Sequence, residues 1–171
     1  MESRAKLLGH PIHPMLIVLP LGLFISAVVF DALFLARGLP VFAMASYWNI
    51  ALGVVGGLLA ALFGVIDWLA IPAATRAKRI GLLHGLVNVT VVAIFASAWL
   101  MRRGTFDLAP DMRVFLLEVA GLLLGTVGGW LGGELVDRLG VGVDDGANVN
   151  APSSLTSQPV RTVDTQYGRR E

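Results

Sequence analysis

The stretch ASYWNIALGVVGGLLAALFGVIDWLAI, residues 45–71, contains one charge, Asp67. A helix rises about 1.5 Å per residue and a bilayer core is about 30 Å thick, so roughly 20 apolar residues cross it. The segment therefore predicts a transmembrane helix. Working outward, three more stretches qualify. Residues 15–36 carry only Asp31 as a charge, 80–101 carry the polar His84 and Asn88, and 114–136 carry Glu118 and Glu134. The connections span about eight to twelve residues, which makes neighbouring helices antiparallel. The expected fold is all-α: an integral membrane four-helix antiparallel bundle.

Composition agrees. Hydrophobic residues make up 56% of the 171 and charged residues 15%, with a mean hydropathy of +0.74. A soluble domain is about half apolar and a quarter charged. A net charge of +1 argues against nucleic acid as a partner, because phosphate binding needs a concentrated basic patch. The absence of cysteine excludes disulfides, thiolate metal sites and thiol catalysis within this chain. Arg4 and Lys6 precede the first span as in a signal peptide. Its apolar run is too long for one, and no small-residue cleavage site follows, so it reads as a retained helix.

Residues 1–139 form the expected membrane domain. From 140 to 171 the chain is rich in Gly, Ser, Thr, Asn, Asp and Pro. Such a segment buries too little surface to offset its ordering entropy, and a disordered polar tail is expected. Lys and Arg bias orients the bundle. Arg4, Lys6, Arg76, Lys78, Arg79 and Arg138 fall at one face, against Arg37, Arg102, Arg103 and Arg113 at the other. Both termini are expected in the cytoplasm.

Helices in lipid associate through close contact, which small residues permit. Gly53, Gly57, Ala60 and Gly64 form one stripe. Gly121, Gly125, Gly129 and Gly132 form a second, and Gly81 with Gly85 a third. These are the expected inward seams, and their exposed parts leave a homodimer open. Asp67 and Glu118 extend two of the stripes. Trp48, Trp68, Trp99 and Trp130 fall near span ends, where aromatic anchoring accounts for them.

Antiparallel alternation places His10, His13, Asp67, His84, Asn88 and Glu134 near one face. In Gly9-His10-Pro11-Ile12-His13-Pro14 each proline biases the preceding histidine away from helical geometry. Pro14 suits a first helical turn. His13 is expected at a helix entrance and His10 one extended turn earlier. Asn88 shares a helix face with His84, and Asp67 is the expected partner of that imidazole. Asp31 and Glu118 fall toward the opposite face, with Asn49 or loop arginines as partners. Glu134, Asp137 and Arg138 read as an ion-pair cluster.

The Gly-His-Pro-x-His-Pro motif (9–14), Asp67, His-Gly-Leu-x-Asn (84–88) and Gly-Trp-Leu-Gly-Gly-Glu-Leu (129–135) together resemble bacterial membrane proteins grouped as domain of unknown function 2231. The resemblance covers about residues 4 to 143. Some members are fused to a Rieske-type iron–sulfur domain, which implies a redox context and redox partner proteins in a bacterial plasma membrane. This sequence has no cysteine for such a cluster. It also has Leu139 where members often carry His or Tyr.

Three readings follow. The first is a redox component binding haem b, with His10, His13, His84 and Asn88 around the cofactor, since bundles house haem between axial histidines. The second is a transition-metal or proton site built from His10, His13, Asp67, His84 and Glu134. The third is a structural or assembly protein whose polar cluster fixes helix register. No Ser-His-Asp spacing or H-E-x-x-H motif appears, so no independent enzymatic activity is expected.

Overall fold

The computed structural model describes residues 1–156. The chain begins with a two-residue hairpin, β1 (Lys6–Leu7) against β2 (His10–Pro11), paired Lys6 to Pro11 and Leu7 to His10. Leu8 and Gly9 make its turn with φ of 51° and 85°. Positive φ at both central positions matches the twist of a tight hairpin.

Next come α1 (Ile12–Leu16) and α2 (Val18–Arg37), which together form one 26-residue span. Pro20 has no N–H to give to Leu16, and the helix loosens at Ile17 between them. At the far end Gly38 adopts φ 68° and its N–H reaches the Phe34 carbonyl at 2.7 Å. This is the left-handed stop that glycine favours. Helix α3 (Pro40–Ala70) starts with proline at its first turn, where the missing N–H costs nothing. Thr75 caps α4 (Arg76–Arg102) by accepting from the Lys78 N–H at 3.1 Å. Asp111 caps α5 (Met112–Gly133) by accepting from the Val114 N–H at 2.9 Å. A π-helical turn, Glu134–Arg138, ends the bundle.

Four long apolar helices are present where four spans were expected. Between 11% and 28% of each apolar span is buried within the chain. Most large apolar side chains therefore point outward, as lipid permits and water does not. Helix α2 packs chiefly on α3, and α4 on α5, with α3 against α4 joining the pairs. The centre is Phe24, Ala27, Ile50, Val91 and Phe95. The Phe24 and Phe95 rings stack 4.0 Å apart.

The glycine seams are only partly those expected. Gly53 faces Phe24, Gly57 faces Val92, Gly81 faces Trp68, and Gly121 faces Ile94 and Phe95. Gly85, Gly125 and Gly129 face open space. On α5 the seam holds at the expected Gly132 and runs through Gly128, which was not expected. Steps of four residues drift about 40° each around a helix, whereas a step of seven drifts about 20° the other way. The sequence Gly121, Gly128, Gly132 thus holds one face, and Gly125 and Gly129 leave it.

Two of the four tryptophans are packed rather than lipid-facing. The Trp68 indole N–H donates to the Lys78 carbonyl at 3.1 Å, and Trp99 stacks on Tyr47 at 5.4 Å. Trp48 and Trp130 are exposed.

The segment after Leu139 was expected to be disordered. Its first part, 140–156, makes turns against the N-terminal hairpin. The Met1 ammonium donates to the Gly140 carbonyl at 2.8 Å, and the Gly142 N–H donates to the Met1 carbonyl at 2.9 Å. Lys6 lies 3.6 Å from Asp144. The rest of the expected tail, 157–171, lies outside the described residues.

This docking is expected to depend on pH. The Gly146 N–H above all, and then Lys6, holds the Asp144 carboxyl below the ordinary range. Its contribution is present above the ordinary carboxylate pKa and lost as pH falls through the lower folded value. Lys6 is held above its ordinary value, chiefly by its bond to Glu2, so its share is lost only in strong alkali. Amide exchange of residues 140–146, corrected for intrinsic rates, is expected to accelerate below the carboxylate range. Equal protection in neutral and acid solution would remove this account.

Candidate functional site

His13 sits in the first turn of α1, inside the helix rather than before it. Pro11, extended at φ −66° and ψ 128°, takes the capping position. Pro14 falls where helical N–H groups have no partner anyway, so it does not force His13 out of the helix. The imidazole crosses to α3, with Nδ1 2.8 Å from the Ala60 carbonyl. His84, on α4, crosses to α5, with Nδ1 3.0 Å from the Gly128 carbonyl. A carbonyl can only accept, so each Nδ1 carries the hydrogen. The ring centroids are 6.1 Å apart, with planes at 82°.

Glycines make this approach possible. A Cβ at Gly64 would lie 3.0 Å from the His13 ring, and one at Gly132 3.1 Å from His84 Cε1. A Cβ at Gly128 would lie 2.7 Å from Asn88 Oδ1. The two rings and the amide thus rest on helix backbone. Asn88 donates to the His84 carbonyl at 2.8 Å, and its nitrogen stands 3.3 Å from both ring nitrogens.

The other expected members have separate partners. Asp67 accepts from Ser3 Oγ at 2.8 Å, from the Arg4 N–H at 2.8 Å and from the Ala5 N–H at 3.3 Å. It is not the partner of His84. The hairpin folds the N-terminal strand over the end of α3, and the backbone donors there have no ladder of their own. Glu134 pairs with Arg76. His10 is exposed, with Ser154 Oγ 3.3 Å from its Nε2. The six-residue set therefore resolves into a His13–His84–Asn88 group and three independent ties. Among the described residues no three His, Asp or Glu side chains form a metal-holding group.

The opposite end of the bundle holds a denser site. Asp31 of α2, Arg102 of α4 and Glu118 of α5 are all 0% exposed. Arg102 Nη1 donates to Asp31 Oδ2 at 2.9 Å and Nη2 to Asp31 Oδ1 at 3.2 Å, the paired geometry a guanidinium favours. Nη1 also reaches Ser46 Oγ at 3.1 Å and Glu118 Oε1 at 3.5 Å. Nη2 donates to the Ala43 carbonyl at 2.8 Å, and Nε to the Leu108 carbonyl at 2.9 Å. One side chain thus ties α2, α3, α5 and the α4–α5 loop to α4.

Asp31 and Glu118 were expected at this end. Loop arginines were among the expected partners, and Arg102 is the one that pairs; that it also ties α3 and the α4–α5 loop was not anticipated. The available signal was an arginine directly at the end of a span, at the depth of two otherwise unpaired carboxylates. Asn49 does not join them; its amide donates to Ser26 Oγ at 3.0 Å.

Residues 9–145 match the family model described as "Predicted membrane protein (DUF2231)". That is well over half of the chain, and the chain belongs to this family. No curated protein and no solved structure matched.

Proposed function

We propose that this DUF2231 family member is a plasma-membrane module in which His13 and His84 hold a redox-active metal centre between two helices. One observation carries this reading: both imidazoles are locked through Nδ1 onto main-chain carbonyls, with their ring centroids 6.1 Å apart. Fixing one ring nitrogen by a hydrogen bond is how proteins orient metal-binding histidines.

The donor set favours haem iron over a bare divalent ion. Zinc needs about four ligands, and no third carboxylate or imidazole joins this pair among the described residues. Haem would need only two side chains from the protein, and two histidines can serve. Bound haem would supply one-electron chemistry. His13 and His84 would ligate it, and Asn88 would set the orientation of His84. In this reading the termini are cytoplasmic. With Arg102 buried, the loops at the far end keep Arg37, Arg103 and Arg113 against six cations at the near end.

The competing reading is a scaffold whose polar groups fix helix register. It is favoured by Arg102, which ties all the helices without a ligand. Absorption spectra and metal analysis of protein expressed with added haem separate the two. The metal reading expects a Soret band in wild type, lost in His84→Ala and His13→Ala. Protein that carries no haem or metal and is destabilised by both substitutions would leave the scaffold alone.

A further inference from the structure

The Asp31–Arg102–Glu118 group contains two carboxyls and one guanidinium, and its surroundings supply no second cation among the described residues. The facing groups are Asp31 from α2, Ser46 and Tyr47 from α3, and Arg102 from α4. Ser46 is neutral, and Tyr47 could add only negative charge. Arg103 turns away onto the Trp99 ring, 5.2 Å from its centroid. Arginine stays charged under all ordinary conditions.

The geometry distinguishes the two acids. Asp31 meets both terminal nitrogens of Arg102 as a fork. Glu118 receives one long contact at Oε1, and its Oε2 has no partner among the described residues although the side chain is fully buried. An ionised carboxylate in that position would be an uncompensated charge within a membrane span, which costs several kcal/mol. A proton on Glu118 removes the charge and turns the acceptor into a donor. Asp31 Oδ2 and Glu118 Oε1 share one nitrogen, Arg102 Nη1, at 2.9 Å and 3.5 Å.

We propose that the buried Asp31–Glu118 pair is a proton-binding site that holds one proton at neutral pH, at the end of the bundle opposite the histidines. The site takes a proton from water and returns it; Arg102 and Asp31 balance each other, and Glu118 is the exchanging group. It is independent of any centre at His13 and His84.

Infrared spectroscopy of the purified full chain in lipid at neutral pH tests this. A protonated carboxyl gives its own C=O stretch, which shifts in deuterium oxide. Wild type is expected to show that band. Either Glu118→Gln or Asp31→Asn leaves one carboxylate against one guanidinium, so each variant is expected to lose it. If one variant does not fold, the other serves. Absence of the band in wild type overturns the proposal, and so does its persistence in a folded variant.

Discussion

Arg102→Ala is expected to lower folding stability by about 3–5 kcal/mol, the usual cost of breaking a buried ion pair by removing one partner. The magnitude decides what kind of effect this is. A single hydrogen bond between membrane helices contributes about 0.6 kcal/mol on average. Removing Arg102 does more. It strands Asp31 in the interior and leaves Ser46 Oγ and the Ala43 and Leu108 carbonyls without their donor. Arg102→Lys is expected to recover little. An ammonium has three donors on a compact head and cannot reproduce a five-donor fork. The double variant Arg102→Ala with Asp31→Asn is expected to regain part of the loss, because the stranded charge is gone. Thermal or denaturant unfolding in detergent measures all three. A cost below about 0.5 kcal/mol for Arg102→Ala, the range of an ordinary surface change, would show that the cluster does not hold the bundle together.

Gly53→Leu is expected to destabilise by about 1–3 kcal/mol or more through overpacking. The first added carbon would already lie 2.5 Å from Phe24 Cε1 and 2.8 Å from Cδ1. Phe24 cannot retreat, because its ring is stacked on the buried Phe95. Helix propensity works the other way, since glycine in a helix costs about 1 kcal/mol against alanine. For leucine the clash outweighs that gain. Gly125→Leu supplies the control: its site is open, so it keeps the propensity gain without the clash. Unfolding both variants in the same detergent reads the difference. Equal midpoints would mean that Gly53 is not a packing contact.

The histidine end shows why a seam glycine and a polar site were hard to separate in sequence. Gly64, Gly128 and Gly132 look like packing residues, and they are. What they pack are the His13 ring, the Asn88 amide and the His84 ring. Antiparallel alternation brings His13 and His84 to one depth, and their rings lie 6.1 Å apart. The assignment of Asp67 to that pair was not sound, because depth says nothing about azimuth. Asp67 lies near the same end but turns to Ser3 and to the backbone of Arg4 and Ala5.

Sequence alone determined the solvent and the architecture of this protein. Four apolar runs of bilayer length with short links leave few alternatives, because an unsatisfied backbone in lipid costs too much for anything but a helix or closed barrel. Tertiary structure alone decided which polar groups meet. A helix repeats its faces every 3.6 residues, so a residue's height is written in its number. Its rotation toward a particular neighbour is set by packing against the other helices. Arg102 illustrates this: one position from the exposed Arg103, it turns inward and becomes the hub of the bundle.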